Sequence, residues 1–167
     1  YKNGVLGANG KIYLISSLSN YIGVLDPKTN KITKINIKYS KYSFGVLAQD
    51  GKIYFIPYDF DCIGEFDILT NTFNVINIDY VGYFTKGILA PNGKIYVISN
   101  NTLGVFDIVS KQFKVEKIKV DNKDENLNNC NSILYLPTGG ILITTNVKAI
   151  SFNPLTMEGK IYNNLNS

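Results

Sequence analysis

The stretch Gly87-Ile88-Leu89-Ala90-Pro91-Asn92-Gly93-Lys94-Ile95-Tyr96-Val97-Ile98-Ser99 decides the fold, because the chain contains it more than once. It stands earlier as Gly45-Val46-Leu47-Ala48-Gln49-Asp50-Gly51-Lys52-Ile53-Tyr54-Phe55-Ile56-Pro57 and, before that, as Gly4-Val5-Leu6-Gly7-Ala8-Asn9-Gly10-Lys11-Ile12-Tyr13-Leu14-Ile15-Ser16. A worn copy follows at Ile133-Leu134-Tyr135-Leu136-Pro137-Thr138-Gly139-Gly140-Ile141-Leu142-Ile143. Runs of β-branched and aromatic residues on both sides of an Asn-Gly or Asp-Gly pair read as a hairpin. A second piece recurs between the hairpins: Ile22-Gly23-Val24-Leu25-Asp26, Ile63-Gly64-Glu65-Phe66-Asp67, Leu103-Gly104-Val105-Phe106-Asp107 and, more loosely, Ile150-Ser151-Phe152-Asn153. The turn glycines Gly10, Gly51, Gly93 and Gly139 are 41, 42 and 46 residues apart. Self-similarity near that period marks a repeat architecture.

Each repeat reads as four short strands, and no segment carries an apolar 3.6-residue period long enough for a helix. Pro91 and Pro137 sit where a proline costs no ladder hydrogen bond only if the turn is type I with glycine last and left-handed, so positive φ is expected at Gly51 and Gly93. Asp26, Asp67 and Asp107 open the second tight turn and are expected to bond nearby backbone N–H groups rather than to catalyse. In the second strand, Ile53 and Phe55 face one side while Tyr54 and Ile56 face the other, so both sheet faces need cover. The fourth strand, with Asn74 and Asn77, is only half apolar. Sheets stacked face to face with the fourth strand outermost form a β-propeller. The unit resembles the kelch repeat: Gly93-Lys94-Ile95-Tyr96-Val97-Ile98, then Val105-Phe106-Asp107, then the aromatic Phe113, with Phe73 at that position one repeat earlier and Ile32 in the first. It departs from kelch where a Gly-Gly pair is usual, reading Ser16-Ser17, Pro57-Tyr58 and Ser99-Asn100. The resemblance implies an all-β propeller of four kelch-like four-stranded blades, about 1–41, 42–83, 84–129 and 130–167, standing alone or as part of a larger ring.

Composition narrows the function classes. Hydrophobic residues at 45% and charged residues at 18% are globular values. No apolar run approaches the roughly 20 residues of a membrane helix, so membrane insertion is not expected. The net charge of +4 comes from scattered lysines, with no arginine, which argues against nucleic-acid binding. Without histidine the chain has no Ser-His-Asp, Cys-His or histidine-metal arrangement of its own. Cys62 and Cys130 fit no metal spacing and read as separate free thiols, which leans towards a reducing, cytoplasmic compartment. No cofactor is expected.

Alternating strands put the tight turns on one end and the variable connections on the other. The variable set includes Lys38-Tyr39-Ser40-Lys41-Tyr42, Tyr58-Asp59-Phe60-Asp61-Cys62, Asp79-Tyr80-Val81-Gly82-Tyr83-Phe84, Ser17 to Tyr21, and an insert from Asp121 to Asn129. Variable loops on a rigid scaffold carry binding, and exposed aromatics anchor interfaces. The candidate binding residues are therefore Tyr39, Tyr42, Tyr58, Asp59, Phe60, Asp61, Tyr80, Tyr83 and Phe84, although Tyr80, Tyr83 and Phe84 could equally pack over the blade tops. Asp59 and Asp61 could hold a cation or act as an acid–base pair. The insert superficially resembles a calcium loop, but Lys123 stands where an oxygen ligand is needed. Asn100-Asn101-Thr102 matches an N-glycosylation pattern.

The leading expectation is a protein-interaction propeller whose partner the sequence does not name. The alternative is a binder of small ligands or carbohydrate, or a propeller enzyme with a polar central funnel. The apolar strands Gly4-Val5-Leu6 and Ile141-Leu142-Ile143 must be hidden in a four-bladed ring, in a second copy, or by further blades of a longer chain. The opening Tyr1 and the single methionine, Met157, favour the last expectation.

Overall fold

The computed structural model describes residue 1, residues 3–16 and residues 18–163, so Ser17 of the first variable connection lies outside the described residues. Among the described residues every element is a strand, and the chain divides into two compact units, Tyr1–Thr85 and Lys86–Ser167. Among the described residues no helix is long and apolar enough to cross a membrane.

The first unit holds two antiparallel sheets. Strands β1 (Asn3–Leu6), β2 (Ile12–Ile15), β3 (Tyr21–Asp26) and β4 (Lys31–Asn36) pair in chain order. Strands β5 (Tyr42–Leu47), β6 (Lys52–Asp67) and β7 (Thr72–Tyr83) form the other. β6 is not straight: at ~3.3 Å per residue Lys52 and Glu65 would lie roughly 40 Å apart, yet Lys52 Nζ reaches Glu65 Oε1 at 2.9 Å. One continuous strand therefore doubles back and does the work of two. Val5, Tyr13, Ile15, Ile22 and Val24 from the first sheet meet Tyr42, Ile53, Phe55 and Phe66 from the second to make the core. Tyr54 and Ile56, on the opposite face of β6, are just as buried, as the two-sided apolar pattern requires.

In the second unit, β8 (Lys86–Leu89), β9 (Lys94–Ile98), β10 (Leu103–Asp107) and β11 (Phe113–Glu116) form one sheet. A short hairpin follows, β12 (Lys119–Val120) with β13 (Lys123–Asp124). The last sheet is β14 (Cys130–Tyr135), β15 (Ile141–Thr145), β16 (Lys148–Phe152) and β17 (Gly159–Asn163). Its core joins Tyr96, Ile98, Leu103 and Val105 to Ile133, Ile141, Ile143, Ile150 and Phe152. The terminal strands expected to be bare are only half so: Val5, Ile141 and Ile143 turn inward, while Leu6 stays exposed.

The turns follow from their residues. Gly51 N donates to Ala48 O at 3.1 Å and Ala48 N to Lys52 O at 2.9 Å, with Gly51 at φ 78°. The glycine thus ends a four-residue turn in a backbone region closed to most side chains. Gly10, Gly93 and Gly139 repeat this at φ 78°, 74° and 91°. The preceding Asn or Asp also anchors the tyrosine of the next strand. Asn9 Nδ2 and Asn92 Nδ2 donate to Tyr13 Oη and Tyr96 Oη at 3.0 and 2.9 Å, and Tyr54 Oη donates to Asp50 Oδ2 at 2.7 Å. In the worn copy both partners are replaced, by Thr138 and Leu142. At the second turn Asp67 Oδ1 accepts from Leu69 N and Thr70 N, Asp107 Oδ1 from Val109 N and Ser110 N, and Asn153 Oδ1 from Leu155 N. These bonds hold the Asp67 and Asp107 carboxyls below their usual range.

Gly104 of β10 explains the downstream aromatic. A Cβ there would meet the Phe113 ring at 2.4 Å, so the ring lies flat across bare backbone. In the first repeat, where Ile32 stands at that position, the Tyr1 phenol lies over Gly23 instead, its hydroxyl 2.6 Å and its ring 2.7 Å from where a Cβ would stand.

Candidate functional site

Three segments expected as separate loops are joined by backbone pairing in the first unit. Beyond the sheet proper, β6 and β7 pair again, Tyr58 with Tyr83 and Phe60 with Gly82, with a register shift on either side of Phe60. Tyr58 N donates to Lys41 O at 2.7 Å, tying in the 38–42 segment. Asp59 at φ 59° and Lys41 at φ 79° supply the sharp bends. The paired backbone makes a stiff platform and fixes its rings. Tyr58 and Tyr83 meet edge to face at 5.4 Å, and Tyr39 and Phe60 are tilted at 5.1 Å. Lys38 Nζ stands 5.0 Å from the Tyr39 ring centre. Lys41 and Asp59 form an exposed ion pair at 3.8 Å. A hydrogen bond to Asp59 holds the Tyr83 hydroxyl above its ordinary pKa.

Of the nine candidate residues, Tyr58 (37% exposed) and Tyr83 (55%) face solvent, and Tyr39, Asp59, Phe60 and Tyr80 are half-buried. Asp61 is exposed and accepts from Cys62 Sγ at 3.3 Å. Two residues differ from the expectation. Tyr42, 1% exposed, opens β5 opposite Pro57, and the irregularity that follows it turns the ring inward against Phe55 and Phe73, 5.8 and 6.0 Å away. Its hydroxyl has no hydrogen-bond partner among the described residues, and burial raises its pKa well above the ordinary value. Phe84, 0% exposed, lies with Tyr80 over Gly82, where a Cβ would meet the two rings at 2.5 and 2.7 Å. Both side chains are core, not contact surface. Asp59 is engaged by Lys41 and Tyr83, so the arrangement offers ring faces and edges rather than a free acid–base pair. Burial pushes the Cys62 and Cys130 thiols up to about 11, which leaves little thiolate at neutral pH. Among the described residues no cluster of three or more His, Cys, Asp or Glu is placed to hold a metal ion.

Sequence reasoning missed Val81, 56% exposed beside the tyrosines, since a valine in a loop carries no interface signal. It also left the insert of the second unit as a loop. Asp121 and Asn122 both have positive φ, 50° and 61°, the pattern of a type I′ hairpin between β12 and β13. The insert is clamped by a Glu125–Lys148 ion pair and by Lys117 Nζ to Asp124 Oδ2 at 2.7 Å. Between it, β11 and residues 101–103 lies a cavity of about 300 Å³.

No protein-family model matches the sequence, and no curated protein matches it. Solved structures do. The selenomethionine-substituted virginiamycin B lyase from Staphylococcus aureus superposes with a TM-score of 0.78 at 16% identity, over 99% of this chain and 56% of the lyase. An auxiliary nutrient binding protein from Bacteroides ovatus gives 0.71 at 14% identity, over 97% of this chain and 46% of its own. The extracellular domain of a one-component system from B. thetaiotaomicron gives 0.75 at 11%, over 97% and 23%. This chain thus spans little more than half the length of the lyase it resembles. At such identities the likeness shows the fold alone: all-β and β-propeller-like, the lyase itself having seven blades.

Proposed function

We propose that the paired extension of the first unit is a protein-docking surface anchored by Tyr58 and Tyr83, with Val81 beside them. The observation that supports this is the exposure of two tyrosines locked edge to face on a hydrogen-bonded platform rather than on mobile loops. Rigid aromatic anchors lose little freedom on binding, and such residues commonly contribute ~2 kcal/mol or more each to an interface. Proteins of this fold include a lyase, a nutrient-binding protein and a sensor domain, which is consistent with binding or scaffold roles and selects none. The test is affinity capture from the source cells with the native chain and with Tyr58→Ala/Tyr83→Ala. A partner retained by the native chain and lost by a variant of unchanged melting temperature is expected; equal capture by both overturns the reading.

We further infer that the four sheets are kelch-like blades and that the outer face of the first one meets another blade. Leu6, Ile12, Leu25 and Ile32 form one row across all four of its strands, with Leu6 63% and Ile32 55% exposed. The same repeat positions one sheet later, Leu47, Ile53, Phe66 and Phe73, pack into the core of the first unit. A further blade or a second copy would cover the row. Sedimentation of residues 1–167 is expected to show self-association, or a monomer that binds an apolar dye; a monomer that does neither excludes both occupants.

A further inference from the structure

The hairpin β12–β13, between β11 and β14, is a separate two-stranded sheet with no counterpart in the other repeats, and Leu127 after it packs into the core of the unit. Ordering it has a conformational cost, so what it encloses is informative. We propose that the cavity beneath it is a binding site for one small, neutral, polyhydroxylated molecule, a monosaccharide or cyclic polyol.

The cavity is preformed. Leu127 is buried in the same core as Leu103, Glu125 N donates to Ile118 O at 2.7 Å, and Cys130 N donates to Asn100 O at 3.0 Å. The insert is therefore fastened on both sides, with a two-residue turn at its tip. A volume of about 300 Å³ is at the small end for ligand sites and accommodates one compact molecule. The lining has two characters. Leu103 and Leu127 make an apolar floor, and Asn101, Thr102, Glu116 and Asn126 bring amide, hydroxyl and carboxylate groups to the wall.

Charge selects the ligand class. Two of the three carboxylates in the lining, Asp124 and Glu125, are each matched by a lysine, Lys117 and Lys148. Those pairs leave no cationic cradle for phosphate, and the third carboxylate of the lining, Glu116, stands among amide and hydroxyl groups rather than in an acidic cluster. The wall carries a mixture of donors and acceptors at short spacing, with Thr102 Oγ1 donating to Asn101 Oδ1 at 3.2 Å. A sugar hydroxyl is both donor and acceptor, and a ring presents C–H groups to an apolar floor while its hydroxyls reach the wall. Glu116 can accept from two adjacent hydroxyls, the geometry that favours a vicinal diol.

The test is an amide-resolved NMR titration of the intact chain with D-glucose, D-galactose, D-mannose and myo-inositol, each at millimolar concentration, with ethanolamine and inorganic phosphate as charged comparisons. Saturable shifts at Thr102, Glu116 and Asn126 with at least one polyol, and none there with the charged probes, are expected. Glu116→Gln keeps the shape and loses the charged acceptor, and is expected to weaken binding about tenfold. Thr102→Val, nearly isosteric, provides a second variant should the first perturb folding, which the spectrum away from the site reports. Absence of polyol shifts, shifts that both variants leave unchanged, or occupation only by ethanolamine or phosphate would each overturn the proposal.

Discussion

The two units elaborate the same repeat in opposite ways. In the first, the connection after the second strand and the one after the fourth are lengthened and pair with each other, Tyr58 with Tyr83 and Phe60 with Gly82. The result leaves two aromatic rings, Tyr58 and Tyr83, exposed. In the second, a separate hairpin is added, pinned by Glu125–Lys148 and Lys117–Asp124, and it folds down over a cavity. Pairing two loops consumes their backbone groups and leaves side chains free to point out. Adding a hairpin brings its own pairing, so the side chains must fasten it. The exposed tyrosine pair and the cavity thus come from one kind of repeat through a choice of where the extra backbone finds partners.

The comparison breaks first at its anchors. Leu127→Ala removes a buried side chain that roots the insert and is expected to destabilise by about 2–5 kcal/mol. Tyr58→Ala, at a half-open position, is expected to stay within about 0.5 kcal/mol. Urea unfolding of both variants checks the contrast. Equal losses would mean that the aromatic extension is also structural, and a negligible loss for Leu127→Ala would mean that the insert rides free of its sheet.

A smaller effect separates turns that look alike. Asp67 and Asp107 have carboxyls depressed by backbone N–H bonds, whereas Asn153 makes its bond without titrating. A depressed carboxylate stabilises the folded state above its unfolded pKa near ~4, and that stabilisation is lost as pH falls through the lower folded value. Amide exchange at Leu69, Thr70, Val109 and Ser110 is therefore expected to gain on that at Leu155 as the solution is acidified below ~4, after correction for the intrinsic rate. Parallel behaviour at all three turns would remove the carboxylates from the account.

The hairpins were legible because their causes are local. Asn92-Gly93 and Asp50-Gly51 carry the turn, Pro91 fixes its type, and the alternation around Tyr54 declares two buried faces. The candidate surface was legible only in composition. That Tyr58 pairs with Tyr83 is a long-range choice made by backbone partners, which no window of sequence reports. Tyr42 read as a loop tyrosine because the irregularity between it and Phe44 hides its inward direction. The Asp121-Asn122 pair, by contrast, was a turn signal overlooked while the segment was weighed as a cation loop. The cavity beneath it depends on lysines contributed from two places, Lys117 and Lys148.

The tyrosine held by its turn residue sets how such repeats can diverge. Losing Asn92 alone would remove one of the two hydrogen bonds of the Tyr96 phenol, which also donates to Pro154 O at 3.0 Å, and losing Tyr96 alone would hollow the sheet face. Each is a step downhill of on the order of 1–3 kcal/mol, large beside ordinary stability margins. The fourth repeat lacks both, with Thr138 and Leu142 in their places, and keeps its glycine in the left-handed conformation at φ 91°. The bend and the latch are thus separable: the fourth repeat makes the same left-handed bend with neither member of the side-chain pair.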